Sequence, residues 1–150
     1  MEERMENFKT DGEIVAEIYR NAQLALTSIA DILPEIDDEE IKKEIISEHE
    51  EYERICAEAA LLAKNMGAEV KEPSPVKKAM MWSAIKMNAG TDNSRSNIAQ
   101  MMIRGTVTGI TSLKTTMTEG ERVMNGEVKK LLNDLITVEE NFEEKLKKYL

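Results

Sequence analysis

Two side chains in this 150-residue chain, Glu139 and His49, could bind a metal ion or transfer a proton. Glu139 falls within a helical stripe of apolar residues, where an unpaired carboxylate is costly and should pair, accept a hydrogen bond or take up a proton. His49 is the only histidine, and we interpret it as a hydrogen-bonded structural residue, with a ligand or proton-transfer role as the alternative. We expect Glu139 to contact His49 or Tyr52.

Four long helices with one apolar face each must position these side chains. Apolar residues recur at steps of three and four over residues 11–33, 38–66, 96–124 and 127–149. Thr10 and Glu13 have the spacing of a capping box, and Gly67 is typical of a helix end. Short turns at Pro34 and Asn125 join the helices into two antiparallel hairpins. Alternating β patterns are absent, so the sequence predicts an all-α fold in one domain, residues 1-150.

A connection of almost thirty residues, from Gly67 to about Arg95, joins the two hairpins. It contains a predicted short helix over residues 76–88, which follows a Pro-Ser-Pro sequence and precedes a polar loop. Such a crossover lets the chain run back along a bundle and start the third long helix parallel to the second. Its apolar cluster, residues 80–82, is predicted to cap the bundle or to lie at a subunit contact.

The two hairpins, the long crossover and two short sequences, residues 45–52 and 104–110, resemble the ferritin-like superfamily, in particular its rubrerythrin-like and uncharacterised branches. The resemblance covers about residues 11–149 and implies an up-down-down-up four-helix bundle. In that family each hairpin typically supplies a Glu from its first helix and a Glu-x-x-His pair from its second. Together these ligands hold two iron or manganese ions between the helices.

Most of the ligand positions implied by this resemblance are replaced in this chain. The pair on the second helix falls on His49 and Tyr52, and the pair on the last helix falls on Glu139 and Phe142. A different register brings Glu48 inward instead of His49. The first and third long helices offer only apolar, small or hydroxyl residues at the corresponding spacing: Ala22, Ala25, Ile29, Thr106, Gly109 and Leu113.

The resemblance therefore leaves His49, Glu139 and Glu48 as candidate metal ligands. Two divalent ions carry four positive charges, and one or two carboxylates in a dry core would leave most of that charge uncompensated, at a cost of many kcal/mol. We expect that the di-metal centre has been lost and that no cofactor is bound. In its place we predict a polar core cluster of His49, Tyr52, Thr106 and Glu139.

The sequence favours a degenerate ferritin-like domain that is not an enzyme and acts through assembly, as a homodimer or with a protein partner. Gly105 and Gly109 would fit a dimer contact or a ligand cradle. One alternative is a metal-binding oxidoreductase or iron-handling protein that uses iron or manganese. The other is a protein that binds a small apolar molecule in a bundle core lined by Met102, Thr106, Leu135 and Phe142.

Composition limits the partners and the compartment. The net charge of −9 repels nucleic acid and anionic lipid, and we expect neither as a partner. Residues 1–6 lack the regions of a signal peptide and no long apolar run follows, so the sequence predicts a cytoplasmic protein with no membrane partner. Cys56 is the only cysteine and is predicted to be a buried structural thiol, while the ten methionines are spread through the stripes as packing residues.

Overall fold

The computed structural model describes residues 9–150, which form helices and connecting turns without a β-strand. The five α-helices are α1 (Asp11–Ile32), α2 (Glu39–Met66), α3 (Pro75–Thr91), α4 (Arg95–Gly120) and α5 (Gly126–Lys147). A single 3-10 turn, Leu33–Glu35, follows α1. The all-α prediction is confirmed for this part of the chain, whereas residues 1–6, on which the signal-peptide inference depends, lie outside it.

The predicted signals at the helix ends are confirmed. The Thr10 hydroxyl accepts the Glu13 N–H at 3.2 Å, and the Glu13 carboxylate accepts the Thr10 N–H at 3.2 Å, which completes the capping box that starts α1. At the end of α2, Gly67 has a φ of +69°, a left-handed conformation that glycine adopts without steric cost. No helix within residues 9–150 is both long and apolar enough to cross a membrane.

Two predicted helix ends are wrong. The crossover helix α3 continues to Thr91, whose hydroxyl donates to the Met87 carbonyl at 2.9 Å, so the residues expected to start a loop complete its last turn. Helix α4 stops at Gly120 instead of continuing to Met124, because the Gly120 carbonyl accepts the N–H groups of both Val123 and Met124 in a tight turn. Met124 is nevertheless buried, and it reaches the core from the turn.

Helices α1, α2, α4 and α5 pack around one hydrophobic core. The α2–α5 contact is better filled than the α1–α4 contact. Tyr52 and Phe142 form an edge-to-face pair in it, with ring centroids 6.4 Å apart. Helices α1 and α4 make little direct contact, and α3 lies mainly against α1. Side chains without measurable exposure come from all four long helices and include Ile18, Ile29, Ile41, Ile45, Ile55, Ile98, Leu113, Leu132, Leu135 and Leu146.

Polar contacts show the directions of the helices. Arg54 pairs with Asp134 at 2.8 Å, and Lys145 approaches Glu48 at 3.6 Å, so α2 and α5 are antiparallel. The Lys114–Glu140 and Lys129–Glu121 pairs, both at 3.0 Å, show the same for α4 and α5. Helix α1 runs against α2 and against α4, since its first turn meets the end of each.

Candidate functional site

A cleft of about 670 Å³ lies between α1, α3 and α4, with α5 and Tyr52 of α2 at its floor. It exists because α1 and α4 are held apart, and because small residues of α1 and α4, such as Ala25, Gly105 and Gly109, occupy its walls. A volume of this size is typical of small-molecule sites. The apolar lining comes mainly from Leu24, Ile29, Met81, Ile85, Met101, Met102 and Phe142.

Glu139 is the chemically unusual residue in this cleft. Only 2% of its surface is exposed, and its Oε2 atom has no hydrogen-bond partner among the described residues. Burial raises the pKa of this carboxyl from its ordinary 4.5 to about 8. At neutral pH Glu139 is therefore mainly an uncharged acid, which can donate one hydrogen bond. Uptake of a proton is one of the three outcomes that the sequence predicts for a carboxyl in this stripe.

Gly109 makes room for this carboxyl. A Cβ atom at position 109 would lie 2.6 Å from Glu139 Oε2, closer than real Cβ contacts come, and 3.1 Å from Oε1, a tight contact. The same point lies 3.2 Å from the Asn21 side-chain nitrogen, which is contributed by α1. Three helices thus meet at position 109, and the glycine allows the carboxyl of α5 to lie directly on the backbone of α4.

The other residues predicted for the polar core cluster make fewer contacts than expected. Tyr52 is buried beside Glu139, and desolvation, followed by the carboxyls of Glu139 and Glu48, raises the pKa of its hydroxyl well above the usual value. No hydrogen bond joins Tyr52 to Glu139 within the described chain. Thr106 is buried, but its hydroxyl donates to the Met102 carbonyl of its own helix at 2.7 Å. Both residues line the cleft without pairing with the acid.

The structure corrects the predicted cluster at His49. This side chain is 35% exposed, and its Nδ1 lies 2.6 Å from Glu53 Oε1 on the same helix, away from the core. Glu48 is the residue that points inward, as in the alternative register, and it is 2% exposed. Desolvation raises the pKa of Glu48, an effect partly offset by Lys145 at 3.6 Å. Neighbouring residues lie about 100° apart around a helix, and the rotation of α2 turns Glu48 towards the core and His49 towards its edge.

These placements do not fit a di-metal centre. Glu139 and Glu48 are buried carboxyls, but Tyr52 and Phe142 occupy the expected imidazole positions, and His49 is turned away. Within residues 9–150, no group of three or more His, Cys, Asp or Glu side chains is arranged to hold a metal ion. We therefore assign no chemical step to a metal at this position.

Glu17 and Asn21 of α1 line the cleft but were not predicted from the sequence. Glu17 lies at one end of the cleft, where Lys9 Nζ is 2.6 Å from its carboxylate and the Thr116 hydroxyl is 2.9 Å from both its oxygens. These contacts neutralise the buried charge. The signal was a Glu next to the apolar stripe of α1, four residues before Asn21 and three after Ile14.

Two further predictions concern sulfur. Cys56 is buried and free, and desolvation, then Glu72 and Glu53, raises the pKa of its thiol to about 12, so the predicted structural thiol is confirmed as buried and protonated. Of the apolar crossover cluster, Met81 faces the cleft, with its sulfur 3.1 Å from the Ser28 hydroxyl, while Met80 and Trp82 are exposed.

No protein-family model matches the chain, and no curated protein matches it significantly.

Proposed function

We propose that this chain is a ferritin-like bundle whose metal centre is degenerate, and that it binds a small, largely apolar molecule in the cleft between α1, α3 and α4. The antiparallel α1–α2 and α4–α5 hairpins and the crossover that contains α3 support the ferritin-like connectivity. Superposition of an experimental structure on ferritin-like bundles tests that part of the proposal. A different order of helices in the bundle would contradict the ferritin-like part of the proposal.

The observation that carries the binding function is the unpartnered carboxyl of Glu139 at the floor of an apolar cleft. A buried polar group without a hydrogen-bond partner costs about 1–3 kcal/mol. A ligand that places a polar group next to Glu139 would remove this cost and bury apolar walls at the same time. If position 139 served packing alone, an apolar side chain there would stabilise the core more than a buried carboxyl does.

A cleft-filling substitution tests the proposal. Ala25→Phe places a ring in the cleft, whereas Ala57→Phe adds the same ring to an exposed position of α2 outside it. Native mass spectrometry of protein purified without denaturation should show a retained small molecule in the wild type and in Ala57→Phe, and less of it in Ala25→Phe. Equal retention in the two variants would place the ligand elsewhere. A mass equal to that of the bare chain in all three, together with no uptake of apolar probes, would contradict a binding function.

Assembly is the second candidate, and it rests on a separate surface. Val76, Met80 and Met87 are 69%, 69% and 75% exposed and recur on one face of α3. Exposed apolar stripes of this kind occur at protein contacts. Sedimentation velocity of the wild type and of Met80→Gln/Met87→Gln checks this candidate: a dimer that the double substitution dissociates would support it, and a wild-type monomer at high micromolar concentration would contradict it.

A further inference from the structure

Charge is distributed unevenly between the walls of the cleft and the rest of the chain. The whole chain has a net charge of −9. Residues 73–118, which contain α3 and nearly all of α4, hold six basic side chains and one acidic side chain, hence a net charge of +5. Two of the three helices that surround the cleft are therefore electropositive in an otherwise strongly acidic protein.

Ion pairing separates these six basic side chains into two groups. Four of them lie away from the cleft and are each paired with a carboxylate of another part of the chain. These pairs are Lys78–Glu72 at 3.6 Å, Lys86–Glu35 at 3.0 Å, Arg95–Asp38 at 2.7 Å and Lys114–Glu140 at 3.0 Å. The other two, Lys77 and Arg104, line the cleft and have no carboxylate within 4 Å among the described residues. The first group is engaged in contacts within the chain, whereas Lys77 and Arg104 are free to contact a molecule bound in the cleft.

Helix α1 adds a third cation to the same cleft. Arg20 lines it and also lacks an ion-pair partner within the described part of the chain. The other lysine that lines the cleft, Lys9, is already paired with Glu17. Lys77, Arg20 and Arg104 are exposed, whereas the apolar lining residues Ile29, Met102 and Phe142 are buried, so the cations lie at the solvent-facing edge of the cleft.

We propose that the ligand of this cleft is an amphipathic organic anion, such as a medium-chain carboxylate, whose charged group binds Arg20, Lys77 and Arg104 at the mouth while its apolar body lies against the methionine-rich walls. This inference rests on the proposed binding function. It adds the sign of the charge on the ligand and the residues that recognise it. Arginine and lysine at a cleft edge are typical partners of carboxylates and phosphates.

The acids of the cleft do not oppose an anion. Burial holds the pKa of Glu139 at about 8, so this side chain is mainly uncharged at neutral pH and can donate a hydrogen bond. The charge of Glu17 is balanced by Lys9, and the Thr116 hydroxyl donates a hydrogen bond to the same carboxylate. A cationic ligand would gain little from either acid and would meet three positive side chains at the entrance.

Three probes with one chain length and different head groups test this inference: decanoate, decanol and decylamine. Calorimetric titration of the full chain, with each probe below its solubility limit and the ionic probes below their micelle-forming concentrations, should show the tightest binding for decanoate. Affinity for decanoate should fall as salt rises, because exposed cations are screened, whereas affinity for decanol should not.

Matched variants locate the head group. Lys77→Gln/Arg104→Gln should weaken decanoate binding about ten-fold, the effect of losing two partly exposed charge contacts, and leave decanol binding unchanged. Lys78→Gln/Arg122→Gln removes the same charge outside the cleft and should change decanoate affinity less than two-fold, roughly the level of long-range electrostatics. Circular dichroism confirms that each variant is folded.

The outcomes distinguish the two proposals. Binding of all three probes with equal affinity, or preference for decylamine, would overturn the anion inference and leave the cleft as an apolar site. An equal loss of decanoate affinity in both double variants would also overturn it, because net charge alone would then explain binding. Failure of all three probes to bind would count against the inference and the binding function together.

Discussion

The α2–α5 side of the bundle is filled, whereas the α1–α4 side is open. On the filled side, Leu132 and Ile45 have no measurable exposure, and Tyr52 and Phe142, which pack edge to face, separate this side from the cleft. On the open side, α4 presents glycines and threonines, and its walls enclose about 670 Å³ of space instead of side chains. The same four-helix framework therefore has one face on which packing decides the residues and one on which packing does not.

This difference assigns separate roles to the two sides. Hydrocarbon burial is the main favourable term in folding, at about 25 cal/mol per Å². Helices α2 and α5 bury more apolar side chains than α1 and α4, so the filled side contributes more to stability. The open side holds Glu139, Gly109 and the unpaired cations, none of which improves packing. In natural proteins, local departures from optimal packing and pairing are concentrated at functional sites.

Titration of Glu139, which lies on the open side, should give the largest change in the free energy of unfolding. Its pKa is about 8 in the folded chain and 4.5 when exposed, so the folded state binds the proton more tightly. The free energy of unfolding should therefore fall as pH rises through this window, by up to about 1.4 kcal/mol per pH unit. Urea unfolding at pH 5 and pH 8 should show about 4 kcal/mol more loss in the wild type than in Glu139→Gln. Parallel profiles would mean that Glu139 is not neutral in the core.

Truncation of the filled side should cost more than truncation of the open side. Leu132→Ala removes a fully buried side chain and should lower the free energy of unfolding by about 3 kcal/mol. Met81→Ala removes a partly exposed side chain at the cleft and should cost less than about 1 kcal/mol. Chemical denaturation of both variants measures the comparison, and similar losses would show that the cleft wall is packed as tightly as the core.

The two glycines of α4 should respond to alanine with opposite signs. Nothing lies within 4 Å of a Cβ atom at position 105, so Gly105→Ala should stabilise α4 by about 0.5–1 kcal/mol through helix propensity. Gly109→Ala would put its Cβ 2.6 Å from Glu139 Oε2 and should destabilise the chain by about 1 kcal/mol. Thermal melting of both variants tests the pair. Equal stabilisation would mean that the carboxyl moves freely out of the way.

Removal of the Arg54 ion pairs from the filled side should have the smallest effect on the free energy of unfolding. Arg54 reaches Asp134, Glu51 and Glu58, but its side chain is 40% exposed, so water and salt screen these contacts. Arg54→Met should lower the free energy of unfolding by less than about 1 kcal/mol. A loss above about 2 kcal/mol in the same denaturation assay would show that charge, and not hydrocarbon, holds α2 against α5.

Periodicity and capping residues were sufficient to predict the helices, because both are local properties of the sequence. Thr10, Glu13 and Gly67 identified helix ends that the structure confirms. The site was harder to predict. Glu139 could be placed inside from its stripe, but the choice between Glu48 and His49 depends on helix rotation, which adjacent residues do not determine.

The cleft itself could not be predicted from the apolar stripes. Its existence depends on the separation of α1 and α4, a non-local property set by how α3 and the two hairpins dock. Asn21 and Glu17 lie beside the apolar stripe of α1 and look like surface residues in sequence. The approach of α4, with Gly109 opposite Asn21 and Thr116 opposite Glu17, leaves Glu17 buried and Asn21 half-buried.

Helix α3 is attached to the bundle differently from its neighbours, because Ala89 is its only fully buried residue. A segment with so little buried surface can detach locally at much lower free energy than global unfolding requires. Its amide protons should therefore exchange with solvent deuterium faster than those of α2 and α5. Transient release of this one wall would give a bound molecule a way in and out while the four long helices stay folded.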